Sequence, residues 1–172
     1  FTFNLICFLG CSNETPAGDK SAANTQKPTK KINVVTTIGM IADIVQNVGG
    51  DKVTVQGLMG PGIDPHLYKA SEGDVHKLAN ADIIFYNGLH LEAKMTDVFE
   101  NMRGRVKTVA VSDTIPEERL LSSVGYAQSH DPHIWFDVSL WMKAVEKVRD
   151  ELSRNFFLSI GDGFLIKIAG KR

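Results

Sequence analysis

Cysteine is nearly absent from this 172-residue chain: Cys7 and Cys11 are the only two, and both fall at the very start. Neither a disulfide framework nor a cysteine metal cluster can therefore hold the rest together. A basic excess is missing too, with 19 Lys and Arg against 20 Asp and Glu. No stretch interleaves aromatics with Lys or Arg, so nucleic acid is set aside as a partner. Beyond the start, no apolar run is long enough to cross a bilayer. The phosphate-cradling patterns G-x-G-x-x-G and G-x-x-x-x-G-K-[ST] do not occur, and neither does H-E-x-x-H. Nucleotide or flavin binding and the helical zinc-protease arrangement thus lose their usual sequence support.

What is present begins with an apolar run, Phe1 to Gly10, followed by Cys11-Ser12. It reads as the tail of a secretory signal peptide. It also resembles a bacterial lipobox with Cys11 as the lipidated residue, although Phe8 stands where the lipobox carries Leu. Residues 12–30 are rich in Ser, Thr, Asn, Lys, Ala and Pro. Such a composition cannot bury enough apolar surface to order itself. The expectation is a signal remnant over 1–11 and a flexible tether over 12–30, holding a folded part near a membrane it does not span.

The folded part opens at Lys31. Ile32–Ile38 is β-branched and reads as a strand. Met40, Ile41, Ile44, Val45 and Val48 recur at helical spacing up to Gly49-Gly50. Lys52–Met59 is a second strand, and Glu72–Asn80 a short helix with Val75, Leu78 and Ala79 on one face. Ala81–Tyr86 is a third strand whose apolar run suits burial on both faces of a parallel sheet. A helix from about Leu89 turns Ala93, Val98, Phe99 and Met102 inward. Arg105–Val111 is the fourth strand, and Pro116-Glu117-Glu118 is a helix start. Ile134-Trp135-Phe136 reads as a short buried segment. A long helix from Val138 follows, with Trp141, Ala144, Val145, Val148 and Leu152 on its apolar stripe. The alternation predicts an α/β fold, a four-stranded parallel sheet flanked by helices. Ligands of such sheets sit in loops beyond the C-terminal strand ends.

Two tripeptides stand out at that edge, Asp64-Pro65-His66 and Asp131-Pro132-His133. Proline fixes its own φ, and Asp before it favours a turn, so each imidazole rises from a stiff loop. A stiff imidazole suits metal ligation. The alternative is that each Asp-Pro is only a turn with a His behind it. His76, His90 and His130 read first as surface or structural residues, with His130 the spare ligand candidate. Asp64 and Glu92 read as turn and helix-start residues, or as groups that hydrogen-bond a ligand imidazole.

The segments Gly62-Ile63-Asp64-Pro65-His66-Leu67-Tyr68, Ala81 to Leu89, Leu91-Glu92 and Asp131 to Asp137 together resemble the substrate-binding lipoproteins of bacterial manganese and zinc ABC importers. The similarity runs from about Lys31 to Leu152. It implies two α/β lobes joined by a long helix, with one divalent ion between them. His66 and His133 would be the ligands of the N-terminal lobe. A His or Glu and an Asp would come from the other lobe, and the partners would be an ABC permease and, through a lipid anchor, the outer face of the membrane. Residues 31–137 would form the N-terminal metal-binding lobe, and 138–154 the start of the connecting helix. Residues 155–172 lose the helical charge pattern and read as a truncation or frame-change product, with the second lobe absent. Zinc-specific relatives often carry a His-rich loop, whereas 112–129 has no His, which favours Mn²⁺ over Zn²⁺ as the transported ion. The resemblance implies no catalysis. A zinc metalloenzyme built on the same two histidines is the alternative.

Overall fold

The computed structural model describes residues 30–122 and 129–159, the side chains of 156–159 excepted. Cys11, the expected signal remnant, the tether up to 29 and the tail from 160 lie outside the described residues.

Four short strands form one sheet: β1 (Ile32–Thr36), β2 (Val53–Gly57), β3 (Ile83–Tyr86) and β4 (Lys107–Ala110), in the order β2-β1-β3-β4. Every pairing is parallel, with Val34 opposite Val55 on one side and Ile83 on the other. The inner strands are apolar because helices cover both faces. Val34, Val35, Ile83, Ile84 and Phe85 are fully buried. The order places a switch point between β1 and β3, where successive connections leave in opposite directions.

Helix α1 (Gly39–Gly49) returns the chain from β1 to β2, burying Ile41, Ile44 and Val45. Met40 is exposed and Val48 only half-buried, so the buried stripe is narrower than the spacing predicts. Helix α2 (Glu72–Ala79) begins with a reciprocal cap. Ser71 Oγ accepts from the Asp74 amide at 3.2 Å, and Asp74 accepts from the Ser71 amide at 3.0 Å. Asp74 and Leu78 face inward here, while Val75 and Ala79 are exposed. The expected apolar face gave way because Asp74 is anchored by Tyr68 and Lys77 as well as by the cap.

The expected helix from Leu89 does not start there. Gly88, Leu89 and His90 all have positive φ, at 86°, 51° and 61°, which breaks any helix at this point. A 3₁₀ turn over Ala93–Met95 leads into α3 (Thr96–Met102). Met95 of the turn and Phe99 and Met102 of the helix are buried, and Ala93 is exposed.

Helix α4 (Val138–Ser159) runs past the expected limit at 154 and packs on α1. Its buried stripe is Leu140, Ala144, Val148 and Leu152, one residue every fourth position. Trp141 and Val145 flank that stripe half-buried. Glu151 is buried too, ringed by Lys107 at 3.4 Å, Lys147 at 3.2 Å and Arg154 at 2.8 Å. Burial pushes its carboxyl up, but Lys147 and Lys107 outweigh that and hold it below the usual range. The pairing fastens α4 to the first residue of β4. Among the described residues no helix is long and apolar enough to cross a membrane.

Candidate metal site

The two Asp-Pro-His loops come after β2 and β4, the outer strands, and the second is tied to the end of β3 through Asn87. After Gly60-Pro61-Gly62, Asp64 Oδ1 accepts the His66 amide at 2.9 Å, closing an Asx turn across Pro65. Two residues on, Tyr68 pins the loop by donating its hydroxyl to Asp74 at 2.7 Å. Burial, helped by that carboxylate, pushes the Tyr68 phenol up to about 12. Burial also pushes the Asp74 carboxyl up, but donors on Ser71, Tyr68 and Lys77 prevail and hold it well below the usual carboxylate range.

The second loop repeats the device and adds to it. Asp131 Oδ1 accepts the His133 amide at 2.9 Å and meets His133 Nδ1 at 2.6 Å. The backbone amide of His133 first, then its ring, hold the Asp131 carboxyl below its ordinary value. An ionised carboxylate at Nδ1 keeps the proton there and turns the Nε2 lone pair outward. Asn87, buried at the end of β3, donates its amide to the Pro132 carbonyl at 2.9 Å and so ties this loop to the sheet.

Glu92 organises the floor. It is 3% exposed and accepts from Thr37 Oγ1 at 2.7 Å, from the Asn87 amide at 2.8 Å and from the Gly88 amide at 3.2 Å. These donors join the ends of β1 and β3 at the switch point. Burial raises its carboxyl above the ordinary value against the pull of those hydrogen bonds. The expected bond from Glu92 to an imidazole is replaced by this scaffold role, and the expected helix start by an irregular turn.

The rings of His66 and His133 lie 5.4 Å apart, centroid to centroid, at 57° to one another. An ion about 2 Å from one nitrogen of each ring sits about 3.2 Å from each centroid, and a tetrahedral angle then separates the centroids by about 5.2 Å. The observed centroid separation of 5.4 Å is close to that value. His66 is exposed and His133 partly so, which leaves the pair accessible. Trp135 closes one side, its ring edge-on to His133 at 5.2 Å. Phe136 is not buried as expected but 82% exposed, while Ile134 takes the core position.

The remaining candidates lie elsewhere. His130 Nε2 faces Glu117 at 3.4 Å, its Nδ1 is buried without a hydrogen-bond partner, and it lines a cavity of about 370 Å³ with Tyr86, His90 and Arg103. It does not join the pair as a spare ligand. Among the described residues no group of three or more His, Cys, Asp or Glu is placed to hold an ion. His76 is exposed on α2 beside Asn80. Asp64 contacts the His66 amide, a turn role. Sequence reasoning missed Asp131 and Asn87. The repeat itself carried the signal for the first, since the acid recurs two places before each histidine; Asn87 had none, because its partner is far along the chain.

A four-stranded parallel sheet with flanking helices and two turn-borne histidines near its switch point defines an α/β lobe of the kind found in metal-binding solute receptors. The chain belongs to the ZnuA family, the periplasmic component A of the zinc-uptake complex, whose model matches residues 34–155. It is 53% identical over 137 residues to the zinc-binding protein TroA of Treponema pallidum, covering 80% of this chain and 42% of that protein. It is 41% identical over 152 residues to the manganese-binding lipoprotein MntA of Bacillus subtilis, covering 88% and 47%. The solved structure of the Treponema pallidum protein matches with a TM-score of 0.69 at 54% identity, over 73% of this chain and 44% of that one. The chain thus spans about half the length of these relatives, and its four-stranded sheet corresponds to one lobe of a TroA-like protein.

Proposed function

We propose that this chain is the metal-capturing half of an extracytoplasmic solute-binding component of an ABC importer, with His66 and His133 as ligands to a divalent transition metal. The observation that carries the reading is the 5.4 Å approach of the two rings from separate Asp-Pro-His loops. Membership of the ZnuA family supports it, as do relatives named for zinc and for manganese. The ion is cargo, handed to a membrane permease, and no reaction is catalysed. Residues 31–137 act as the N-terminal lobe, and lipidation at Cys11 holds it to the outer face of the membrane.

Two neutral nitrogens hold zinc more tightly than manganese, following the Irving–Williams order. Manganese as the favoured cargo rests instead on the absence of a His-rich loop over 112–129. Calorimetric titration of the full chain with Mn²⁺ and Zn²⁺, beside the His66→Ala/His133→Ala double variant, tests the site. Saturable binding that the double variant abolishes is expected, and binding that survives it refutes the assignment. Cargo is read separately, from the metal content of cells lacking the coding sequence. Lowered manganese with unchanged zinc is expected, and the reverse assigns zinc.

A further inference from the structure

Asn87 grips the peptide that carries His133. It is fully buried at the end of β3, and its own backbone is engaged on both sides. The amide donates to Glu92 Oε1 at 2.8 Å, and the carbonyl accepts from the Ser112 amide at 3.3 Å. Both hydrogens of its side-chain amide are spent as well, on the Gly88 carbonyl at 3.1 Å and the Pro132 carbonyl at 2.9 Å. Two carbonyl acceptors require that this end of the side chain be the nitrogen. The Oδ1 atom is buried and accepts no bond among the described residues, so the donor end alone is in use.

The bond to Pro132 lands where it controls a ligand. The Pro132 carbonyl also accepts from the Ile134 amide at 2.9 Å, closing a three-residue turn with His133 at its centre. The His133 backbone, at φ −81° and ψ 52°, lies close to the inverse γ-turn at about −75° and +65°. On the other side of the same peptide unit, the His133 amide donates to Asp131 Oδ1 at 2.9 Å. The Pro132–His133 peptide is thus held at both its oxygen and its nitrogen. The direction of a Cα–Cβ bond follows from the backbone, so fixing this peptide fixes where the His133 ring starts from. Asp131 sets the rotation of the ring through Nδ1, and Asn87 sets the backbone beneath it.

We propose that Asn87 is a positioning residue for metal capture: its side-chain amide holds the Pro132 carbonyl and so sets the direction in which the His133 imidazole meets an ion. The proposal rests on the reading of His133 as a ligand. Through this bond the rigidity of the sheet passes to a loop 45 residues away, which Asp131, itself part of that loop, does not supply.

The test is calorimetric titration of the full chain with Zn²⁺, comparing the parent with Asn87→Ala and Asn87→Asp. The second keeps the size of the side chain and replaces the donor by an oxygen facing two carbonyls. Each should lose about tenfold in affinity, the low end of the loss for groups that orient a metal ligand. A general weakening of the fold would lower affinity by the same factor in any background, so Asn87→Ala is combined with two other variants. With Asp131→Ala the joint loss should fall well short of the product of the single losses, because the ring is already free. With Asp64→Ala, on the other loop, the losses should multiply. Multiplication in both pairs, or an affinity within about twofold of the parent for both Asn87 variants, overturns the proposal. Where neither variant folds, nitrogen NMR of the parent decides. Zinc should shift the Asn87 side-chain amide and leave in place that of Asn47, which bonds the Asp43 carbonyl on α1. An unmoved Asn87 signal overturns the proposal. Zinc binding that is absent from the parent, or that survives His66→Ala/His133→Ala, sinks the site itself and the role of Asn87 with it.

Discussion

Replacing Asp131 by Ala tests how His133 is made into a ligand. One carboxylate oxygen holds both the His133 amide at 2.9 Å and Nδ1 at 2.6 Å. Without it, the ring turns more freely, the neutral tautomers mix, and Nε2 loses the electron density the anion lends it. Removing such a partner of a ligand imidazole costs about 10–100-fold in metal affinity, which is about 1.4–2.8 kcal/mol. Asp131→Asn keeps an acceptor without the charge and should fall between the parent and Ala. Asp64→Ala is the internal control, because Asp64 contacts the His66 amide and not its ring, and it should lose less than about tenfold. Calorimetric titration with Zn²⁺ reads all three, and circular dichroism should show the fold intact, since the Asp131 side chain is 43% exposed. An Asp131→Ala affinity within about twofold of the parent, or an equal loss at Asp64, would refute the assignment of Asp131 as the residue that orients the ligand.

Three further outcomes follow from the floor of the site. Glu92→Ala strands the Thr37 hydroxyl and the Asn87 and Gly88 amides in the interior, so it should cost about 3–5 kcal/mol of stability by urea denaturation. Because burial raises the folded-state value of Glu92, its contribution is complete below the unfolded carboxyl value and is lost as pH rises through the folded one. The stability of the parent relative to Glu92→Gln should therefore fall as pH rises above the ordinary carboxyl value of about 4, and a rise would show that the carboxylate is the favoured folded form. Gly88→Ala places a methyl 2.5 Å from Ser112 Oγ and 2.9 Å from the Ala110 Cβ, at a φ of +86°. It should lower the melting temperature by several degrees, for about 2–4 kcal/mol of strain and overpacking, and an unchanged melting temperature would mean the loop relaxes freely.

Much of the scaffold was legible along the chain. The run Ile83-Ile84-Phe85 announced a strand buried on both faces, and it is wholly buried. Failures came where polar anchoring overrode apolar spacing. Asp74 displaced Val75 from the inward face of α2 because its carboxylate gathers donors from Tyr68, Ser71 and Lys77. Leu89 and His90 adopt left-handed backbone that no propensity assigns them, and so the predicted helix start dissolved into a turn. Glu151, which sequence periodicity left unplaced, is buried because Lys107 arrives from β4 to meet it.

Composition and local pattern by themselves determined the class: alternating strands and helices, a parallel sheet, and two turn-borne histidines of identical design. Those features depend on neighbours within a few residues, where proline geometry, Asx turns and side-chain period act. Only the tertiary structure decided that His66 and His133 face one another, that Asp131 and Asn87 hold the second loop, and that Glu92 belongs to the floor and His130 does not belong to the pair. Each of those outcomes depends on strand order. With β1 and β3 central, the loops that follow the outer strands bring the His66 and His133 rings within 5.4 Å of each other, and no spacing along the chain encodes that approach.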